Sequence, residues 1–226
     1  IQKNIIIDLQ AIPIPVITGR IGNQPQYDKR PWVYFPMIIP KSNHPIVKNI
    51  NAIKTEFVGS IDTVTTPKIK KMPLLSTSKY SRIINLPAVI DINVLNREPN
   101  PYYFNNPYQN IAMLLEGKFT SLYKHRIPPE IEENKEIDFK EESNYNKMIV
   151  VSDGDIIKNQ VTKQNGEIIP YPLGYDKYNN YTFGNKDFIL NAINYLLDDD
   201  GLIYLRSRDI KLRMLDKTRL TNNRLY

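Results

Sequence analysis

The chain has 226 residues, 41% of them apolar, which is enough for one large α/β domain or a domain with an appendage. It contains no cysteine, which excludes thiolate catalysis, disulfides and cysteine-ligated zinc. The formal charge of +6 is mild for this length, and the lysines are spread out, so no nucleic-acid-binding pattern stands out.

Seventeen prolines against nine glycines predict many irregular connections, because each proline fixes φ and removes a donor. No leader and no apolar run long enough for a bilayer is visible, and the chain reads as the soluble part of something longer. NIIIDLQAIPIPVITG reads as extended, with Pro13 and Pro15 arguing against a central strand. GRIGNQPQYDKRPWVYFPMIIP follows as a long, aromatic, proline-punctuated stretch. SNHPIVKNI predicts a short helix, capped by Ser42 or Asn43 with Pro45 in its first turn. IKTEFVGSIDTV, KMPLLSTS and AVIDINVL are strand candidates by alternation. NIAMLLEGKF is a continuous apolar run, the pattern of a strand buried on both faces.

Residues 127–146 are acidic and predict a solvated loop with one helical turn. A strand over Met148–Val151 then runs into Ser-Asp-Gly-Asp. NKDFILNAINYLLDDDG is the clearest helix, with Phe188, Ile189, Ala192, Ile193, Leu196 and Leu197 on one face, Asn185 as its cap and Gly201 past its end. LIYLRSRDI predicts a short final strand, and DIKLRMLDKTRL a basic, partly amphipathic helix. Buried apolar strands interleaved with helices favour an α/β domain over residues 1–205, followed by a basic segment, 206–226.

Asp153 and Asp155 are the first candidates for chemistry. Carboxylates at the end of a parallel strand sit where α/β folds bind ligands, and they can hold a cation or exchange protons. Glu116 is the third carboxylate such a hydrolase would recruit. The competing reading is structural and is favoured: Asp-Gly is turn chemistry, and Asp155 before IIKNQV suits a helix N-cap. His44 and His125 have no partner at metal-ligand spacing, His44 fitting a helix start and His125 an exposed basic stretch. GRIGNQ is no phosphate-binding loop. The aromatic stretches 31–36, 100–108 and 171–183, the last containing the ligand candidate Tyr175, suit packing first, a protein interface second and glycan or peptide binding third.

IPIPVITGRIGNQPQ, PWVYFPMIIPKSNHPIVKNI, LLEGKFTSLYKHRIPPE, IDFKEES, KMIVVSDGDIIKNQV, YPLGYDKY and FGNKDFILNAINYLLDDDGLIYLRSRDIKLRMLDK occur in this order and resemble the gliding-motility-associated ABC transporter substrate-binding family (GldG type) of Bacteroidota. The resemblance spans nearly the whole chain. It implies a flavodoxin-like or glutamine-amidotransferase-like three-layer domain with a mostly parallel sheet and long irregular insertions. It further implies a non-enzymatic auxiliary subunit without cofactor, held at the inner membrane by helices outside this chain and facing the periplasm. ABC permease and ATPase subunits are the implied partners, with ATP hydrolysis in the ATPase. The segment 206–226 would stand before a membrane helix.

Overall fold

The computed structural model describes residues 1–198 and 201–203. In chain order its strands are β1 (Asn4–Asp8), β2 (Ala11–Ile21), β3 (Gln24–Ile38), β4 (Ile53–Lys54), β5 (Ile69–Ser76) and β6 (Ser81–Asn85). They continue as β7 (Asn110–Thr120), β8 (Glu142–Val151), β9 (Val161–Gln164), β10 (Glu167–Pro170), β11 (Tyr175–Asp176) and β12 (Tyr181–Thr182). A single turn, α1 (Pro129–Glu132), follows β7, and α2 (Asn185–Leu197) follows β12.

The flavodoxin-like domain with a mostly parallel sheet does not form: every strand pairing among the described residues is antiparallel. β7 is central, in the order β5–β7–β8, as its apolar run predicts. That run reports burial, not direction. Direction depends on the connections, and a parallel pair needs a crossover that packs back onto the sheet. The connection 121–141 is polar and holds only α1, so β8 returns antiparallel, with Ala112 opposite Val151 and Glu116 opposite Lys147. At the end of the sheet, Gly117 has φ 147°, and a Cβ there would collide with the Lys68 carbonyl.

β2 and β3 form a long hairpin closed by Gly22-Asn23, with Gly22 at φ 61° as a tight two-residue loop requires. β2 lies at the edge of its sheet, β2–β3–β4, where prolines are tolerated. The predicted strand AVIDINVL is instead a loop and a 3₁₀ turn, Ile92–Asn96, because the Asp91 side chain accepts the Asn93 N–H and caps it. Only Ile53–Lys54 of IKTEFVGSIDTV pairs as strand, while Val58 and Ser60 accept single bonds from Ile6 and Gln2. SNHPIVKNI makes turns closed onto the His44 carbonyl rather than a helix, ending at Asn49 with φ 61°.

Two apolar cores result. The first gathers Ile6, Ile38, Ile53, Leu114 and Phe188 between the β5–β7–β8 sheet and α2. The second gathers Ile7, Trp32, Val33, Tyr34, Leu95 and Phe104 between β1, β3 and the strap 86–108. β1 serves both, since Ile6 and Ile7 point to opposite faces. α2 buries a narrower stripe than predicted: Phe188, Ala192 and Tyr195 go in, while Ile193, Leu196 and Leu197 stay exposed. Its cap position is Gly184, with Asn185 as the first helical residue. The predicted final strand beyond Ile203 and the basic segment 206–226 lie outside the described residues.

Candidate functional site

β8 delivers Ser152 and Asp153 to the rim of the first core. Ser152 Oγ donates to the Gly59 carbonyl at 2.7 Å. Asp153 is 4% exposed. Its Oδ1 accepts the Asp155 N–H at 2.8 Å and its Oδ2 the Glu56 N–H at 2.9 Å, so it caps the 3₁₀ turn Gly154–Ile157 and ties that turn to residue 56. Burial pushes its carboxyl above the ordinary range; the two backbone donors oppose this, and the neighbouring Asp155 and Glu56 charges add to it. The cap is therefore Asp153, where the sequence pointed to Asp155.

Asp155 is half-exposed and faces Lys158 at 3.5 Å. Lys158 also lies 3.8 Å from Glu56, and Lys54 bridges Glu56 at 3.1 Å and Asp176 at 3.2 Å. Lys54, Glu56, Asp155 and Lys158, with Asn185 and Tyr175, line a pocket of about 30 Å³, room for no more than about one water molecule. Tyr175 donates to Asn180 Oδ1 at 2.9 Å and stacks near Tyr171, 5.0 Å between ring centres. Asn185 accepts the Lys54 N–H at 2.9 Å and donates to the Lys54 and Ile156 carbonyls at 2.9 and 3.0 Å. Segments 54–56, 153–158 and 174–185 are thus tied together by these ion pairs and by the Asn185 bonds to backbone groups.

Glu116 lies elsewhere. It stands four residues from Ala112 on β7, about 13 Å along the strand at the usual rise. Its Oε1 accepts the Tyr195 hydroxyl at 2.6 Å. The Tyr195 ring meets His44 edge-on at 4.7 Å and lies 4.8 Å from Lys147 Nζ, which donates to the Asp198 carbonyl at 2.9 Å. His44 Nδ1 accepts the Ile46 N–H at 3.3 Å, so that nitrogen carries no proton. Burial lowers the His44 pKa, Glu116 opposes this, and Lys70 reinforces it. The structure therefore brings Asp155 and Tyr175 into one small pocket, takes up Asp153 as a cap, and leaves Glu116 apart. Among the described residues no group of three or more His, Asp or Glu is placed to hold a metal ion.

The aromatic stretches divide. Trp32 and Tyr34 are packed in the second core, 4.9 Å between ring centres. In 100–108 only Phe104 turns inward, leaving Tyr102, Tyr103 and Tyr108 exposed. In 171–183 Phe183 is buried while Tyr178 and Tyr181 are exposed. Beside the strap runs a groove of about 500 Å³, walled by Leu9, Pro31, Val33, Val94, Leu95 and Pro99. The strap is held there by Arg30, whose Nη1 donates to the Leu95 carbonyl at 2.9 Å and Asn96 Oδ1 at 3.2 Å. Nothing in the sequence marked this groove, because its walls come from segments some 65 residues apart.

Residues 1–192 match the family described as an ABC-type uncharacterized transport system. The chain belongs to this auxiliary family of ABC-type transport systems. No curated protein and no solved structure matches it. The matched span of this ABC-transport auxiliary chain takes in the Asp153 cap, the tied segments, the groove and the strap. No helix among its described residues is long and apolar enough to cross a membrane.

Proposed function

We propose that the chain is a periplasmic accessory domain of a membrane-anchored ABC transport system and that it works by protein contact, not by chemistry. Family membership supplies the transport system. The observation that carries the contact is the strap 86–108, which exposes Leu86, Val89, Ile92, Tyr102, Tyr103 and Tyr108, with Val89 at 90% and Tyr102 at 89%. Apolar side chains concentrated on one surface segment mark interaction sites, and aromatic ones are enriched there. Of the carboxylates that a hydrolase would use, Asp153 is bonded to two backbone N–H groups and Glu116 to Tyr195, while Asp155 faces Lys158.

In this reading the permease and ATPase of the same system are the partners, and the anchor lies outside residues 1–226. The gliding-motility type is the finer form of the proposal. The test is affinity purification of the full-length protein from its native membranes in mild detergent, with mass spectrometry. Recovery of the permease and the ATPase is expected. Absence of both, under conditions that keep permease and ATPase together, overturns the reading. Deletion of the gene with gliding unchanged removes only the finer form.

A further inference from the structure

We infer that the groove between β3 and the strap binds an extended, apolar segment of a partner protein that carries a carboxylate; the inference rests on the contact reading above. The groove is apolar along Leu9, Val33, Val94 and Leu95. Pro31 and Pro99 in its wall have no N–H, so neither can donate to a bound carboxylate. Two guanidiniums, Arg30 and Arg97, flank it against one carboxylate, Glu98. Neither arginine is in a salt bridge among the described residues. Arg30 is already oriented by its two Nη1 bonds to the strap, while Nε and Nη2 make none among the described residues. A pre-oriented guanidinium at the edge of an apolar slot fits a carboxylate, which it can engage in a fork.

A protein segment, more than a small molecule, suits the surroundings. The strap's exposed Val89, Ile92, Tyr102 and Tyr103 carry apolar surface beyond the groove itself. The outer part of the β2–β3 hairpin, from Ile17 to Lys29, is exposed almost throughout and adds Ile17, Ile21 and Tyr27. An extended chain can cover the slot and run on across this surface, with apolar residues down and an acidic residue against Arg30 and Arg97.

The test uses the full-length protein in its native membranes, with Val94 replaced by a photo-crosslinking benzophenone residue and, as control, Ile168 on β10 replaced in the same way. The expected product at Val94, absent at Ile168, is a stretch of the permease in which Asp or Glu stands among apolar residues. A synthetic peptide of that stretch should bind the purified chain, and Arg97→Glu should weaken it about tenfold while Arg97→Lys largely preserves it. Arg97 is exposed, so both variants should melt like the parent. If the transporter subunits co-purify but Val94 does not crosslink to the permease, the inference falls and the contact reading stands. Crosslinking to lipid only, a crosslinked stretch without a carboxylate, or a peptide indifferent to Arg97→Glu also overturns it. If the subunits do not co-purify at all, both readings fall together.

Discussion

Asn185 and Tyr102 show how differently the two halves of the molecule use polar and apolar groups. Beside the first core, Asn185 is buried and its three hydrogen bonds all go to backbone groups of distant segments. Beside the second, Tyr102 is exposed two residues from the buried Phe104. In the first region the polar groups that reach the interior are bonded within it, and no buried side-chain N or O among the described residues lacks a partner. In the second region the core closes under β1 and β3, yet apolar side chains remain outside on the strap and the hairpin. On the proposed reading the first region holds its shape and the second presents a surface, although α2 also leaves Ile193, Leu196 and Leu197 exposed. Variants on the first should change stability, and variants on the second should change association.

The largest effect is expected at Phe188, which is fully buried between α2 and the sheet. Phe188→Ala should cost about 3–5 kcal/mol, read as a shift in the urea unfolding midpoint at unchanged slope. A loss no larger than that of an exposed tyrosine would erase the distinction between the regions. Next comes Asn185→Ala, which strips partners from the Lys54 N–H and from two carbonyls. About 2–3 kcal/mol should be lost by the same measurement. Asn185→Asp should not restore it, because a carboxylate cannot donate to the Lys54 and Ile156 carbonyls.

Asp153→Ala removes the acceptor of two backbone N–H groups and should cost about 1–2 kcal/mol. Its pH signature is specific. Burial raises the Asp153 pKa above the ordinary 3.8, so the native state holds this proton more tightly than the unfolded chain does. The favourable contribution is complete below 3.8 and is lost as pH rises through the folded value. Asp153→Asn should flatten stability in that acidic interval, and an unchanged profile would show that the carboxyl is not desolvated.

Parts of this arrangement were legible in the sequence, and the reasons are local. The run NIAMLL gave away a central strand, Pro13 and Pro15 an edge, and Asp-Gly a turn, because burial, a missing N–H and turn chemistry each leave a mark within a few residues. Strand direction left no such mark, and a parallel sheet was expected where an antiparallel one stands. AVIDINVL alternates like a strand, but Asp91 offers its backbone a shorter-range bond that wins. Tyr195 is not on the predicted apolar face, yet it is buried, and Glu116 supplies a partner for its hydroxyl from 79 residues away. The groove depends on Arg30 meeting residue 95, a contact no local pattern encodes.

His44 gives a smaller effect of opposite sign to Asp153. Its folded pKa is lowered from 6.5, so the unfolded chain takes up the proton first. Its contribution is present above 6.5 and is lost as pH falls through the folded value. Protonation would also break the bond from the Ile46 N–H to Nδ1. Stability should therefore decline as pH falls below 6.5, and His44→Phe should reduce that slope. The carboxyl effect of Asp153 starts from the acidic side, so the two are separable by following unfolding across both intervals.

The smallest stability change, and the sharpest separation of the two regions, is expected on the strap. Tyr102→Ser with Tyr103→Ser removes two exposed rings, one lying 5.6 Å from the Arg82 guanidinium carbon. An exposed contact of that kind is worth no more than about 0.5–1 kcal/mol, and surface substitutions generally stay within about 0.5 kcal/mol. The melting curve should hardly move. If the strap presents a surface to the transport system, recovery of permease and ATPase with the full-length protein should nevertheless fall several-fold, since a few buried aromatics dominate most interfaces. Loss of fold without loss of partners would place the strap with the first region, as packing. Loss of partners with the fold intact would leave its exposed tyrosines no structural purpose other than contact.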